Sequence, residues 1–221
     1  KKKQNIPKLN VLPPQLVVFD IEKKKMVKNY TIPYCSTGLV TLRNDPNRLI
    51  IWGQDVYDFN LKTGKYKTIR RLLNPEKGNE AKNALVFWNF RSPGDNGMFT
   101  NPYYTATRMG YFILDRNNGE LKDVHMKDLW FWYSTIMSKD KKYVFGLMDE
   151  LYKIDANTGE TLKFVKCKSG TNYAMSLTSD GKKLYVGPAG ADISVYDSET
   201  LELLTVIPLS GDGFDQHRIS M

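Results

Sequence analysis

The chain has 221 residues, of which 41% are hydrophobic, 25% charged and 12% aromatic, a composition that excludes an intrinsically disordered protein. Its densest apolar run is Leu129–Tyr133, far short of the ~18 residues that a membrane-spanning helix needs, so no span is expected. The net charge of +8 is local: residues 1–28 hold eight lysines against Asp20 and Glu22, and the remainder is close to balanced. A nucleic-acid interface would spread its cations over one surface with interleaved aromatics, so no nucleic-acid partner is expected and the lysines are read as a solvated edge.

In chain order, residues 1–15 form an irregular lead-in rich in lysine and proline, and no hydrophobic segment behind Lys1–Lys3 suggests a signal peptide. From there the whole chain reads as one domain. Five segments end in Asp or Asn before a turn: LVVFD at Asp20, VYDFN at Asn60, YFILD at Asp115, LYKID at Asp155 and ISVYD at Asp197. Their spacings are 40, 55, 40 and 42 residues, and three run on to a glycine four positions later, at Gly64, Gly119 and Gly159. This is hairpin chemistry, because Asp or Asn bonds the backbone of the turn and glycine takes the positive φ that starts the return strand.

A second signature keeps the same phase. VTLRNDPNRLIIWG, TIMSKDKKYVFG and SLTSDGKKLYVG each give a short strand, a polar turn at Asp45, Asp140 or Asp180, and an apolar strand ending in glycine. Four short strands per ~40–45 residues are the mark of a β-propeller blade. A solenoid of helix pairs has the same period but lacks the alternating β-branched and aromatic residues and the turn signals every ~8–12 residues. The predicted fold is therefore all-β, with full blades at about 39–69, 85–125, 133–166 and 174–207, two strands at 16–31 and one at 214–219. The end pieces either close as an incomplete fifth blade or belong to a larger ring; the second arrangement fits the lead-in better.

The blade at 85–125 replaces its Asp turn with an excursion at about 91–101, which Pro93, Gly94, Gly97 and Pro102 mark as a structured loop. It is either a plain insertion over a blade edge or a functional loop. Aromatics gather here and in the next blade. On a strand, Trp130 and Trp132 would share one face and Phe131 and Tyr133 the other, one pair being core and the other a candidate contact surface.

Few residues offer chemistry. Cys35 and Cys167 fall in no CxxC or CxxCH pattern, and there are only two histidines, His125 and His217. These disfavour a zinc site and covalent haem on this chain. A propeller hydrolase would need Asp, Glu, Asn or His converging on the central channel, whereas Asp20, Asp115, Asp155 and Asp197 are explained as turn residues. No catalytic, cofactor-binding or metal residue is read.

With those segments laid out, VFWNFRSPGDNGMFTNPYYTATR, followed by GYFILDRNNGELKDVHMKDLWFWYSTIMSKDKKYVFG, resembles the β-subunit of quinohemoprotein amine dehydrogenase. The likeness runs from about Leu16 through SLTSDGKKLYVGPAGADISVYDSETLELL, although SxDGxxLYVG is general to YVTN-class propellers. The resemblance implies a seven-bladed propeller of which this is the C-terminal part. It implies a periplasmic heterotrimer in which the propeller is a non-catalytic scaffold. A small subunit there carries cysteine tryptophylquinone, and a di-haem cytochrome c subunit carries haem c. The residues it places at the partner or amine pocket are Trp88, Asn89, Tyr103, Tyr104, Phe131, Tyr133, Asn172 and Tyr173. A stand-alone binding propeller is the alternative.

Overall fold

A computed structural model describes residues 13–33, 36, 38–73, 75, 76, 78–84 and 96–213. All the regular structure in them is β. A two-stranded sheet, β1 (Gln15–Asp20) and β2 (Lys25–Thr31), precedes four four-stranded antiparallel sheets. The first comprises β3 (Gly38–Thr41), β4 (Arg48–Trp52), β5 (Asp55–Asn60) and β6 (Tyr66–Arg71). The second comprises β7 (Asn83–Ala84), β8 (Met98–Tyr104), β9 (Met109–Asp115) and β10 (Leu121–His125). The third comprises β11 (Ser134–Met137), β12 (Tyr143–Leu147), β13 (Glu150–Asp155) and β14 (Thr161–Lys166). The last comprises β15 (Asn172–Leu177), β16 (Lys183–Pro188), β17 (Gly190–Asp197) and β18 (Leu203–Gly213). Each sheet is an up-and-down meander, and the bounds follow the four predicted blades closely. The strand expected at 214–219, together with Trp88, Asn89, Pro93, Gly94 and Cys35, lies outside the described residues.

The turns form as their side chains dictate. Asp155 Oδ1 accepts the backbone N–H groups of Asn157 and Thr158 at 3.0 and 2.8 Å, and Gly159 N–H closes the turn on the Asp155 carbonyl at 3.0 Å. Asn60, Asp115 and Asp197 use the same device. The fourth position is left-handed in all five hairpins: Gly64, Gly119 and Gly159 at φ 70, 84 and 71°, but also Lys24 at 49° and Leu201 at 56°. Backbone geometry thus repeats where the glycine does not. Leu201 accepts that conformation with its side chain buried in the core between the last two sheets, which compensates the ~1–2 kcal/mol backbone cost.

Successive sheets pack face to face. Trp52, Ile50 and Val56 of the first meet Phe99, Tyr103, Phe112 and Leu114 of the second. Tyr111 and Met109 of the second meet Trp132, Val144, Tyr152 and Ile154 of the third, and Leu147, Leu151 and Phe145 meet Leu184, Val186 and Tyr196 of the last. Leu16 and Ile32 close the sheet of β1 and β2 onto Ile51 and Phe59. Each such core joins a sheet to the next in sequence, the serial packing of propeller blades.

The excursion ends earlier than the sequence suggested. Residues 98–104 are strand, and Pro102 sits within β8 opposite Tyr111. Proline removes a single N–H, which serves only one of the two neighbouring strands, so the register survives it.

Candidate functional site

β11 starts at Ser134 opposite the end of β12 at Leu147, and β15 starts at Asn172 opposite the end of β16. Tyr104 ends β8 opposite Asn83 near the start of β7. Residues at these positions therefore share one face of the stacked sheets. On it, four side chains named from the sequence form a continuous aromatic row across three sheets. Tyr104 meets Phe131 at a ring separation of 6.1 Å, Phe131 meets Tyr133 at 5.4 Å, and Tyr133 meets Tyr173 at 5.2 Å.

The row comes from residue alternation. Trp132 is fully buried, and Trp130 and Trp132 both pack on Tyr152, whereas Phe131 and Tyr133 turn outward together. Tyr104 and Phe131 are 37% and 44% exposed, so that end of the row presents its rings to solvent, while Tyr133 and Tyr173 are half-buried. Neighbouring rings are tilted or edge-on, at 56°, 84° and 33°, which gives a corrugated apolar surface suited to interdigitating side chains.

The other named residues behave differently. Asn172 is buried, its amide donating to the carbonyls of Met148 and Gly170 at 2.9 and 2.7 Å, so it anchors the start of β15, where Tyr173 follows it. Tyr103, adjacent to Tyr104 but on the opposite side of β8, is fully buried in the core between the first two sheets. The described end of the excursion is remote from the row. Asn96 donates to the Ser138 carbonyl at 2.8 Å, and the Gly97 carbonyl accepts from Arg116, both at the far end of β8, about 20 Å from Tyr104. The sequence set the excursion beside the aromatic cluster; the strand that separates them places Asn96 and Gly97 on the opposite face.

Sequence reasoning overlooked a polar cluster on the same face as the row, between the first two sheets. Asp123 on β10 holds Arg70 at 2.7 Å and Lys82 at 3.5 Å, and the Tyr103 hydroxyl lies 2.8 Å from Nδ1 of His125. The lysine ammonium stands 5.7 Å from the Tyr103 ring centre. No local motif marks these residues, because they come from three separate strands and one connector.

Burial, followed by the charge of Lys82, holds the His125 imidazole below its ordinary value. Below about pH 6.5 the unfolded chain takes up a proton that folded His125 resists, so the imidazole lowers stability as pH falls through that point and has no such effect above it. Urea unfolding is expected to show stability declining between about pH 7 and pH 5, and a visibly flatter profile in His125→Gln. The turn carboxylates of Asp155, Asp180 and Asp197 are held low by backbone or hydroxyl hydrogen bonds, so they act only in stronger acid.

Cys167 is buried and free, and burial pushes its thiol up to about 12, which makes it inert rather than nucleophilic. Among the described residues no group of three or more His, Cys, Asp or Glu is placed to hold a metal ion, and no helix is long and apolar enough to cross a membrane.

No protein-family model matches the chain, and no curated protein sequence matches it. Solved structures do. The dihydro-heme d1 dehydrogenase NirN, in complex with DHE, superposes with a TM-score of 0.57 at 17% identity over 88% of this chain and 42% of NirN. A protein of unknown function from Bacteroides caccae superposes with a TM-score of 0.55 at 12% identity over 88% of this chain and 69% of its own. The chain thus spans less than half the length of NirN. Identities this low speak for architecture alone, and together with the four serial four-stranded sheets they show that the chain has the β-propeller fold.

Proposed function

We propose that this chain is a non-catalytic propeller scaffold and that the row Tyr104–Phe131–Tyr133–Tyr173 seats a partner subunit. The row is the observation that carries this reading: exposed aromatic side chains on a rigid frame anchor protein interfaces and concentrate their binding energy. Three of the four rings lie in NPYYTATR and FWYSTIMS, the segments that resemble the β-subunit of quinohemoprotein amine dehydrogenase. That likeness supports a small subunit bearing cysteine tryptophylquinone as the occupant, a di-haem cytochrome c subunit as electron acceptor, and a periplasmic setting. Cysteine tryptophylquinone would supply amine oxidation and haem c electron transfer, both from the partner subunits. This chain's own residues bind, orient and wall the amine pocket, with Asn172 holding Tyr173 in place.

The test is native mass spectrometry of the protein from its own source, followed by reassembly with the purified companions. Recovery with a haem-bearing subunit and a small cross-linked one supports the reading, and Tyr104→Ala with Tyr133→Ala should then weaken assembly at least about tenfold. Unchanged assembly in that double variant removes the row from the interface. A single species without companions makes the chain a stand-alone binding propeller.

A further inference from the structure

The described residues of the connector between β6 and β7 are tied down by Lys82 N–H donating to the Leu72 carbonyl at 2.9 Å. Beneath it lies a polar cleft of about 550 Å³, lined by Arg70, Arg71, Glu76, Lys82, Asp123 and His125 among others. A second hollow of about 280 Å³ continues past Lys82 and His125 to Glu80, Thr105 and Arg108. Asn79, Lys82 and His125 line both, so the two form one trough with Arg70 and Arg71 at one end and Arg108 at the other.

We propose that this trough binds a small organic anion bearing carboxylate or phosphate groups. Its charged lining comprises four cations and three carboxylates. Arg70 and Lys82 both converge on Asp123, whose side chain is 19% exposed, so two cations share one carboxylate at the centre. Lys82 is held there with its own side chain only 14% exposed and keeps ammonium hydrogens beyond those Asp123 accepts. Glu80 is occupied at the rim, where it accepts the Thr107 hydroxyl at 2.7 Å. The Tyr103 hydroxyl stands 2.8 Å from His125 Nδ1 and 3.4 Å from the Val124 carbonyl; when it donates to the nearer Nδ1, the ring proton of His125 sits on Nε2 and is offered to a ligand. Charge-assisted bonds from lysine and arginine to an oxyanion, made in a partly enclosed site, are the strong ones. The volume is that of a small-metabolite pocket.

The experiment is calorimetric titration of the chain at low ionic strength with succinate and, separately, with inorganic phosphate, while the His125 imidazole resonances are followed by NMR. Saturable one-to-one binding of either probe that shifts His125 is expected, and the tighter probe identifies the anionic group. Lys82→Met should weaken that binding at least about tenfold. Lys182→Met removes the same charge from a turn on the opposite face and should leave it unchanged. Equal weakening in the two variants, or an absence of saturable binding, overturns the proposal. Should Lys82→Met fail to fold, the wild-type titration decides by itself: binding that leaves His125 unshifted lies elsewhere and overturns the proposal as well.

Discussion

Replacing Trp132 with alanine is expected to lower the stability of the fold by about 3–5 kcal/mol, the largest effect of any single truncation proposed for this chain. Phe131→Ala, one residue earlier, should cost about 1 kcal/mol or less. The contrast tests the alternation from which the aromatic row arises. Trp132 is fully buried against Tyr111 and Tyr152, in the core that joins the second sheet to the third. Its indole lies flat on Gly146 of β12, where an added Cβ would stand 2.5 Å from the ring. The room for Trp132 is thus created by a glycine on the neighbouring strand, and Gly146→Ala should itself cost about 1–3 kcal/mol by overpacking. Phe131 is 44% exposed, and its ring contacts are with Tyr104 and Tyr133. Urea unfolding of the three variants checks the ranking. A Phe131→Ala loss as large as that of Trp132→Ala would show that the row is part of the core and would remove the basis for a docking surface.

Gly159→Ala is expected to be the second most damaging change, at about 2–4 kcal/mol. Two costs coincide there. The residue has φ +71°, a conformation worth about 1–2 kcal/mol against any side chain. A Cβ would also stand 2.3 Å from the His125 carbonyl oxygen on β10 of the preceding sheet, and backbone yields less readily than a side chain. Gly64 occupies the equivalent turn at φ +70°, but there a Cβ meets only the Tyr30 ring at 3.1 Å. Gly64→Ala should therefore cost close to the backbone term alone. Thermal or denaturant unfolding of the pair separates the local penalty of the turn from the interblade penalty. Equal losses would mean that the sheets shift apart to admit the methyl group. Because His125 lies on the strand that Gly159 touches, Gly159→Ala should also perturb the His125 imidazole resonance, whereas Gly64→Ala should not.

The aromatic row and the anion trough share one face, and Tyr104 links them, since the turn that follows it supplies Thr105 and Arg108 to the trough. The pattern is common to scaffolds: rigid strands fix the positions, and connections at one end of the sheets carry the recognition. The four residues of the row stand at ends of strands or immediately before them, which is why a repeat of local hairpins can build a surface spanning three sheets.

Much of this was legible in the residues themselves. The Asp or Asn turns at 20, 60, 115, 155 and 197 are local chemistry, a side-chain oxygen two or three residues from the N–H groups it caps. They fixed the repeat, the blade bounds and the propeller fold without any long-range information. Tyr104, Phe131, Tyr133 and Tyr173 are four of the eight residues that the family likeness named, and the pairing of Phe131 with Tyr133 expected from alternation holds although both precede β11 rather than lie on it. What the residues could not reveal is which of two alternating faces turns inward, because that depends on the partner sheet; Gly146, fourteen residues past Trp132, decides it. Nor could they reveal that β8 continues through Pro102 and so carries Asn96 and Gly97 to the opposite face from the row. The trough is the most strongly tertiary feature of all. Arg70, Lys82, Tyr103, Asp123 and His125 lie up to 55 residues apart, follow no spacing rule, and become one electrostatic unit only when two sheets and the connector between them close on each other.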